Sequence, residues 1–211
     1  MIRITGISPI ITSCFDFELL AFLPVVTGAV LLAWATIRRT PEYAKGRKLN
    51  IISLCLTAAL SFALFLIFGI GVDMLKGILL TDLFLYASVS DYRTRKVPDA
   101  VSLMIALLGL ISVSGSKLLW NAVAGVAAFG FFFLAAILSK NKIGGADVKF
   151  IAASMFVCGL SNGLAGLIFG LLFSVIGTTV RNKKTKSKDK TMPLIPYLSV
   201  GFLAAFMIGG I

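Results

Sequence analysis

The feature that most constrains this chain is its long uninterrupted apolar runs, such as "AALSFALFLIFGIGV" and "GFFFLAAIL". The apolar residues do not alternate with polar ones, so no single face is left for water. Runs of about 17–25 apolar residues read as membrane-crossing helices, because a backbone in lipid must satisfy its own hydrogen bonds. Hydrophobic residues make up 58% of the 211, whereas soluble domains usually hold about 45–50%. The expected fold is all-α and integral to a membrane: a polytopic bundle of about eight helices near 17–37, 49–70, 76–92, 99–114, 118–138, 147–161, 163–180 and 193–211. No connection is long enough for a soluble domain, and no internal repeat supports an inverted-repeat transporter.

Basic residues predict orientation. The loops after the first, third, fifth and seventh spans hold 17 of the 20 Lys and Arg, leaving only Arg3, Lys76 and Lys117 elsewhere. This alternation is the positive-inside pattern. It places both termini outside and the four basic loops in the cytoplasm, in a multi-pass protein of the cytoplasmic membrane. The net charge of +11 therefore reflects loop anchors. Nucleic-acid binding would need a basic face with groove-reading or aromatic elements, so no nucleic-acid partner is expected. Membrane lipid is the expected contact for these loops, with "RNKKTKSKDK" at 181–190 reading as a solvated loop. Cys14, Cys55 and Cys158 form no CxxC pair, and histidine is absent. No metal site and no cofactor are expected. Oligomeric state has no signature in the sequence.

Only nine carboxylates occur, and four of them, Asp82, Asp91, Asp99 and Asp147, lie in or beside apolar spans. A charged side chain at mid-bilayer costs at least about 2.5–3.5 kcal/mol, so such residues tend to face protein and do work. Asp91 ends the third span and Asp147 begins the sixth, which puts them at one membrane depth. Asp82 is nine residues from Asp91, on the opposite helix face and about 13 Å away along the axis. It reads as a buried, hydrogen-bonded structural acid. Asp99 follows Pro98 in "VPDAVSLM" and reads as a helix N-cap.

Two carboxyls a few ångströms apart share a proton across the working pH range. One can then take a proton from water attacking a peptide carbonyl, while the other polarises that carbonyl and helps the amine leave. Which aspartate takes which part is a property of the coupled pair. Gly144 and Gly145, just before Asp147, allow unusual backbone conformations and close approach of a substrate strand. The helix N-terminus there presents unpaired N–H groups and the positive end of the helix dipole. Lys149 either acts on an aspartate or a substrate carboxylate, or snorkels to headgroups.

"SDYRTRKVPDAVSL", with "GGADVKFIAA" following so that Asp147 comes 56 residues after Asp91, resembles the prepilin peptidases (type IV leader peptidases), membrane aspartic proteases of the GxGD class. "MPLIPYLSVGFLAAF" at 192–206 is similar to the family's proline-paired segment. The resemblance implies catalytic Asp91 and Asp147. It implies an active-site loop of Gly144, Gly145, Ala146 and Lys149, with Ala146 where the family has its second glycine. Pro98, Asp99, Pro193 and Pro196 take structural or substrate-groove places. The implied substrate is a prepilin or pilin-like protein, cut after a short basic leader at the cytoplasmic membrane face. Residues 1–75 would form two N-terminal helices with a basic loop, and 76–211 a six-helix peptidase core. Paired CxxC motifs of a zinc and methyltransferase domain do not precede that core. The likeness is thus to the short peptidase-only members, and methyl transfer is not expected. The competing readings are a small proton-coupled transporter using Asp82 and Asp91, and an inactive homologue serving as an assembly scaffold. A groove between the third and sixth spans is expected.

Overall fold

A computed structural model describes residues 47–111, 113, 115–139, 144–185 and 193–209. The described residues form six helices and no strand: α1 (Arg47–Phe68), α2 (Val72–Thr94), α3 (Asp99–Leu108), α4 (Gly115–Leu138), α5 (Gly145–Thr185) and α6 (Ile195–Gly209). The membrane reading holds at this level. Three helical windows, Ile51–Phe68, Gly115–Leu138 and Gly145–Val180, are long and apolar enough to cross a bilayer. The outer surface is correspondingly greasy, with Ile208, Leu138, Val126 and Leu119 each more than 70% exposed. A water-soluble monomer rarely exposes contiguous apolar surface on this scale.

Six helices among the described residues stand in place of the eight expected over the whole chain. The first expected span, 17–37, lies outside the described residues, as do 1–46 and 210–211, to which the orientation of the termini applies. The sixth and seventh spans are one run of helix, α5, broken at Gly159 with φ 75° and ψ 178°. A β-carbon on Gly163 would lie 3.3 Å from the Cα of Met155. Eight residues of straight helix would separate these positions by about 12 Å, so the chain reverses at Gly159. The expected turn at 161–163 is displaced to the residue that takes positive φ without a steric cost. A side chain at Gly159 would also strike Asn121 Oδ1. The fourth span is shorter than expected, because α3 ends at Leu108 and residues 109–111 turn. At about 15 Å, α3 crosses half a hydrocarbon core.

Glycines set how closely these helices meet. Leu64 and Phe206 seat against Gly77, bringing α1 and α6 onto α2. On the second half of α5, Gly166 and Gly170 face Phe202 and Leu198 of α6, while Gly201 of α6 lies directly on Gly170. Small residues of this kind drive helix association in lipid, where burial of apolar area gives no net gain. The continuous core runs from Phe84 and Ile105 through Phe150 and Ile151 to Leu198 and Phe202.

Lys76 departs from its expected place in an outer loop. It lies inside the first turns of α2, 1% exposed, and its Nζ donates to Ile111 O at 3.1 Å. Asp73 is within Coulomb range of it. The cation thus serves carbonyls left open beyond the α3 C-terminus, where positive charge is favoured.

Candidate active site

One end of the bundle collects the last turn of α2 and the first turns of α3, α5 and α6. Asp91 arrives on α2. That helix stops at Arg95, which takes a left-handed conformation (φ 56°, ψ 23°), and the Arg95 N–H closes onto Asp91 O at 3.1 Å. A non-glycine residue in this region costs roughly 1–2 kcal/mol. Local bonds offset it: the Ser90 hydroxyl donates to Lys96 O at 2.6 Å, and the Thr94 hydroxyl donates to Ser90 O at 2.9 Å. The chain then turns through Val97, which is buried, and Pro98 into α3.

The Asp91 side chain is buried and turned toward α6. The Ile195 N–H donates to Asp91 Oδ2 at 3.2 Å, and the Leu194 N–H also bonds this carboxyl. The first N–H groups of any helix lack partners within it. Pro193 and Pro196 have no N–H to offer, so the donors left between them at Leu194 and Ile195 go to Asp91. The two prolines thereby frame the carboxyl. One turn deeper, the Ser88 hydroxyl donates to Ser199 Oγ at 3.0 Å and ties α2 to α6 again.

Asp147 lies in the first turn of α5, half-buried, and the Gly144 N–H bonds its carboxyl. A β-carbon on Gly144 would sit 3.0 Å from Asp147 Oδ2, whereas one on Gly145 would meet open space. The glycines are thus unequal: Gly144 admits the carboxyl, and Gly145 leaves the surface bare. Ala146 is half-buried against the core, so its methyl has a packed place. Asp91 and Asp147 interact electrostatically across the gap between α2 and α5. Those two helices meet through Phe84 and Phe150, whose ring centroids are 5.2 Å apart.

Asp99 is not the N-cap the sequence predicted. Pro98 occupies that position without a side-chain bond, and Asp99 is the first residue of α3. Its carboxylate pairs instead with Lys149 Nζ at 2.7 Å, so Lys149 reaches across to α3. Asp82 is also corrected. Both its oxygens are enclosed, yet neither has a hydrogen-bond partner among the described residues. One cavity, of about 530 Å³, lies between α3, α4 and α5, with Asp99 and Lys149 at its edge. A smaller one, of about 200 Å³, lies between α1, α2 and α6, beside Tyr92 and Pro196. Sequence reasoning missed the helix-ending roles of Arg95 and Ser90. Their signal was a turn between a helical run and Pro98, where a C-terminal cap belongs.

No group of three or more His, Cys, Asp or Glu able to hold a metal occurs among the described residues. The site is defined by two carboxyls on separate helix ends within an apolar helical bundle. Residues 78–180 match the type IV leader peptidase family. Two curated proteins, each named prepilin leader peptidase/N-methyltransferase, are similar over most of the chain. That of Bacillus subtilis (strain 168) is 27% identical over 167 residues, covering 76% of this chain and 64% of its own. That of Xanthomonas campestris pv. campestris is 28% identical over 191 residues, covering 85% and 66%. The chain thus spans just under two thirds of the length of these relatives. No solved structure matches it. The chain is thus similar to the type IV leader peptidase family over residues 78–180.

Proposed function

We propose that this protein is a membrane aspartic endopeptidase that cuts the short basic leader from prepilin or pilin-like proteins at the cytoplasmic face of the cell membrane. Asp91 and Asp147 act as the pair. The observation that carries this reading is their convergence from two helix ends, within electrostatic reach, inside the segment matched to the family. One carboxylate takes a proton from the attacking water while its protonated partner gives its own to the carbonyl oxygen. The first then hands the water's proton to the departing amine as the partner recovers its proton from the collapsing tetrahedral intermediate. Asp91 is held by α6 N–H groups and Asp147 by Gly144, so both keep their aim as the proton moves. Gly145 leaves room for an extended peptide, and the segments at Pro98–Asp99 and Pro193–Pro196 flank its path. The basic loops face the cytoplasm in a multi-pass arrangement, and residues 76–211 form the catalytic core.

Co-expression with a prepilin, read by the gel shift of the shortened product, tests the reading. Wild type should process the substrate, and Asp91→Asn and Asp147→Asn should each leave it at full length. Complete processing by either variant would remove the dyad. Absence of processing by wild type, with the protein in the membrane, would remove the peptidase assignment.

A further inference from the structure

We infer that the cleft between α3, α4 and α5 is the seat of the substrate's apolar membrane segment, the helix that adjoins the scissile bond. The inference rests on the peptidase reading above. It starts from how the cleft is made. Both α3 and α4 pack on α5 but have little direct contact with each other, so a space of about 530 Å³ opens between them. Each helix lines it with one face at spacing i, i+3, i+4, i+7: Asp99 to Ala106, Ala122 to Phe129, and Lys149 to Phe156. Seven residues of helix rise about 10 Å, so the cleft runs for two turns. Phe156 closes the inner end, lodged against Gly109 and Gly125. The ion pair Lys149–Asp99 marks the outer end. That end begins two residues, or about 3 Å of axial rise, beyond Asp147.

The chemistry of the lining selects the occupant. Beyond the self-neutralised ion pair the walls are almost wholly apolar, so they offer a charged segment no partner. Leu103 and Val126 on the rims are 61% and 72% exposed, so the cleft is open to the bilayer along its side. Much of the wall is small: Ala106, Ala122, Gly125, Ala152 and Ala153. The same protein shows what such a surface does when filled, because Gly166 and Gly170 let α6 approach closely. A helix backbone, already ordered, gains from that approach. A disordered acyl chain gains less, and an anionic headgroup at the outer end would meet Asp99 with its lysine already paired. A transmembrane helix from the substrate, entering sideways with its extended end at Asp91 and Asp147, satisfies every feature.

The test uses the full chain as Asp147→Asn, co-expressed with a prepilin carrying a basic leader and an apolar membrane segment. Photoreactive benzoylphenylalanine replaces Leu103 or Val126, and Leu172 on the lipid-facing side of α5 serves as control. Adducts mapping to the substrate's apolar segment should form from positions 103 and 126 and not from 172. Equal adducts from 172, adducts to lipid alone, or adducts to residues 17–37 of the chain itself would each overturn the proposal. In the active protein, Ala106→Phe or Ala152→Phe should raise KM about tenfold with kcat little changed, the pattern of lost ground-state and transition-state binding alike. An unchanged KM with normal processing would also overturn it, leaving the peptidase reading standing. If wild type fails to process the prepilin at all, both readings fall.

Discussion

Of the three aspartates on helix α2, Asp82 and Asp91 meet opposite fates. Asp91, at the helix end, receives N–H groups from the start of α6 and faces Asp147. Asp82, in the middle, is enclosed with no partner for either oxygen among the described residues. Sequence depth alone marks Asp82 as the more unusual of the two. The proposed chemistry follows the other, because a functional carboxylate needs neighbours that hold it and a second group that shares its proton. Helix ends supply both, since they leave backbone donors unpaired and come together at a bundle's rim.

Exchanging the charge without the shape should break this contrast most sharply. In Asp91→Asn and Asp147→Asn the amide oxygen still accepts from Ile195 or Gly144, so the fold persists while the proton relay is lost. Cleavage of a co-expressed prepilin should fall by about 100- to 10,000-fold, the range for a lost general acid or base. Asp82→Asn should stay within about twofold of wild type, as expected of a site distant from the pair. Strong loss from Asp82→Asn with activity kept in Asp91→Asn would reverse the assignment.

Stability should divide the same pair with opposite signs. Asp82→Leu removes an enclosed carboxyl that has no partner among the described residues and should stabilise the protein by about 1–3 kcal/mol. Leucine at position 91 strips the α6 N-terminus of its acceptor and should cost about 0.5–2 kcal/mol, as loss of a helix cap does. Thermal unfolding in detergent, followed by tryptophan fluorescence, reads both. Equal shifts in one direction would mean that the two carboxyls are held alike.

Much of the candidate site's geometry was legible because its residues sit at segment boundaries, where sequence is informative. A proline, an acid or paired glycines at the edge of an apolar run mark helix ends, and Asp91, Pro98, Asp147 and Pro193 all lie there. The reversal at 159 was legible as two spans but misplaced, because "CGLSNG" offers two glycines and only three-dimensional packing against Asn121 and Met155 assigns their parts. Side-chain destinations were the least legible. Lys76 reads as a loop cation, yet burial beside Ile111 O decides its role. Asp99 reads as a cap, yet its partner is 50 residues further along the chain.

The glycine pair gives a finer test of the carboxylate end. Alanine at 144 would press on Asp147 Oδ2, and alanine at 145 would meet nothing. Gly144→Ala should therefore lower cleavage about tenfold, since a small misplacement of a reacting group is felt strongly. Gly145→Ala should change it less, and equal losses would point to backbone freedom rather than close approach as the need for glycine.

The smallest effect should come from the ion pair. Lys149 and Asp99 are 46% and 74% exposed, and an ion pair that open is usually worth less than about 1 kcal/mol. Asp99→Ala should thus leave thermal stability nearly unchanged and weaken any effect of added salt on it. If it instead lowered cleavage as far as Gly144→Ala, the contact between α3 and α5 would be setting the position of Asp147, and the carboxylate end would depend on α3 as much as on α6. Measuring both variants in one prepilin assay separates the two cases, because a free-standing surface pair predicts rates that match wild type at low and high salt alike.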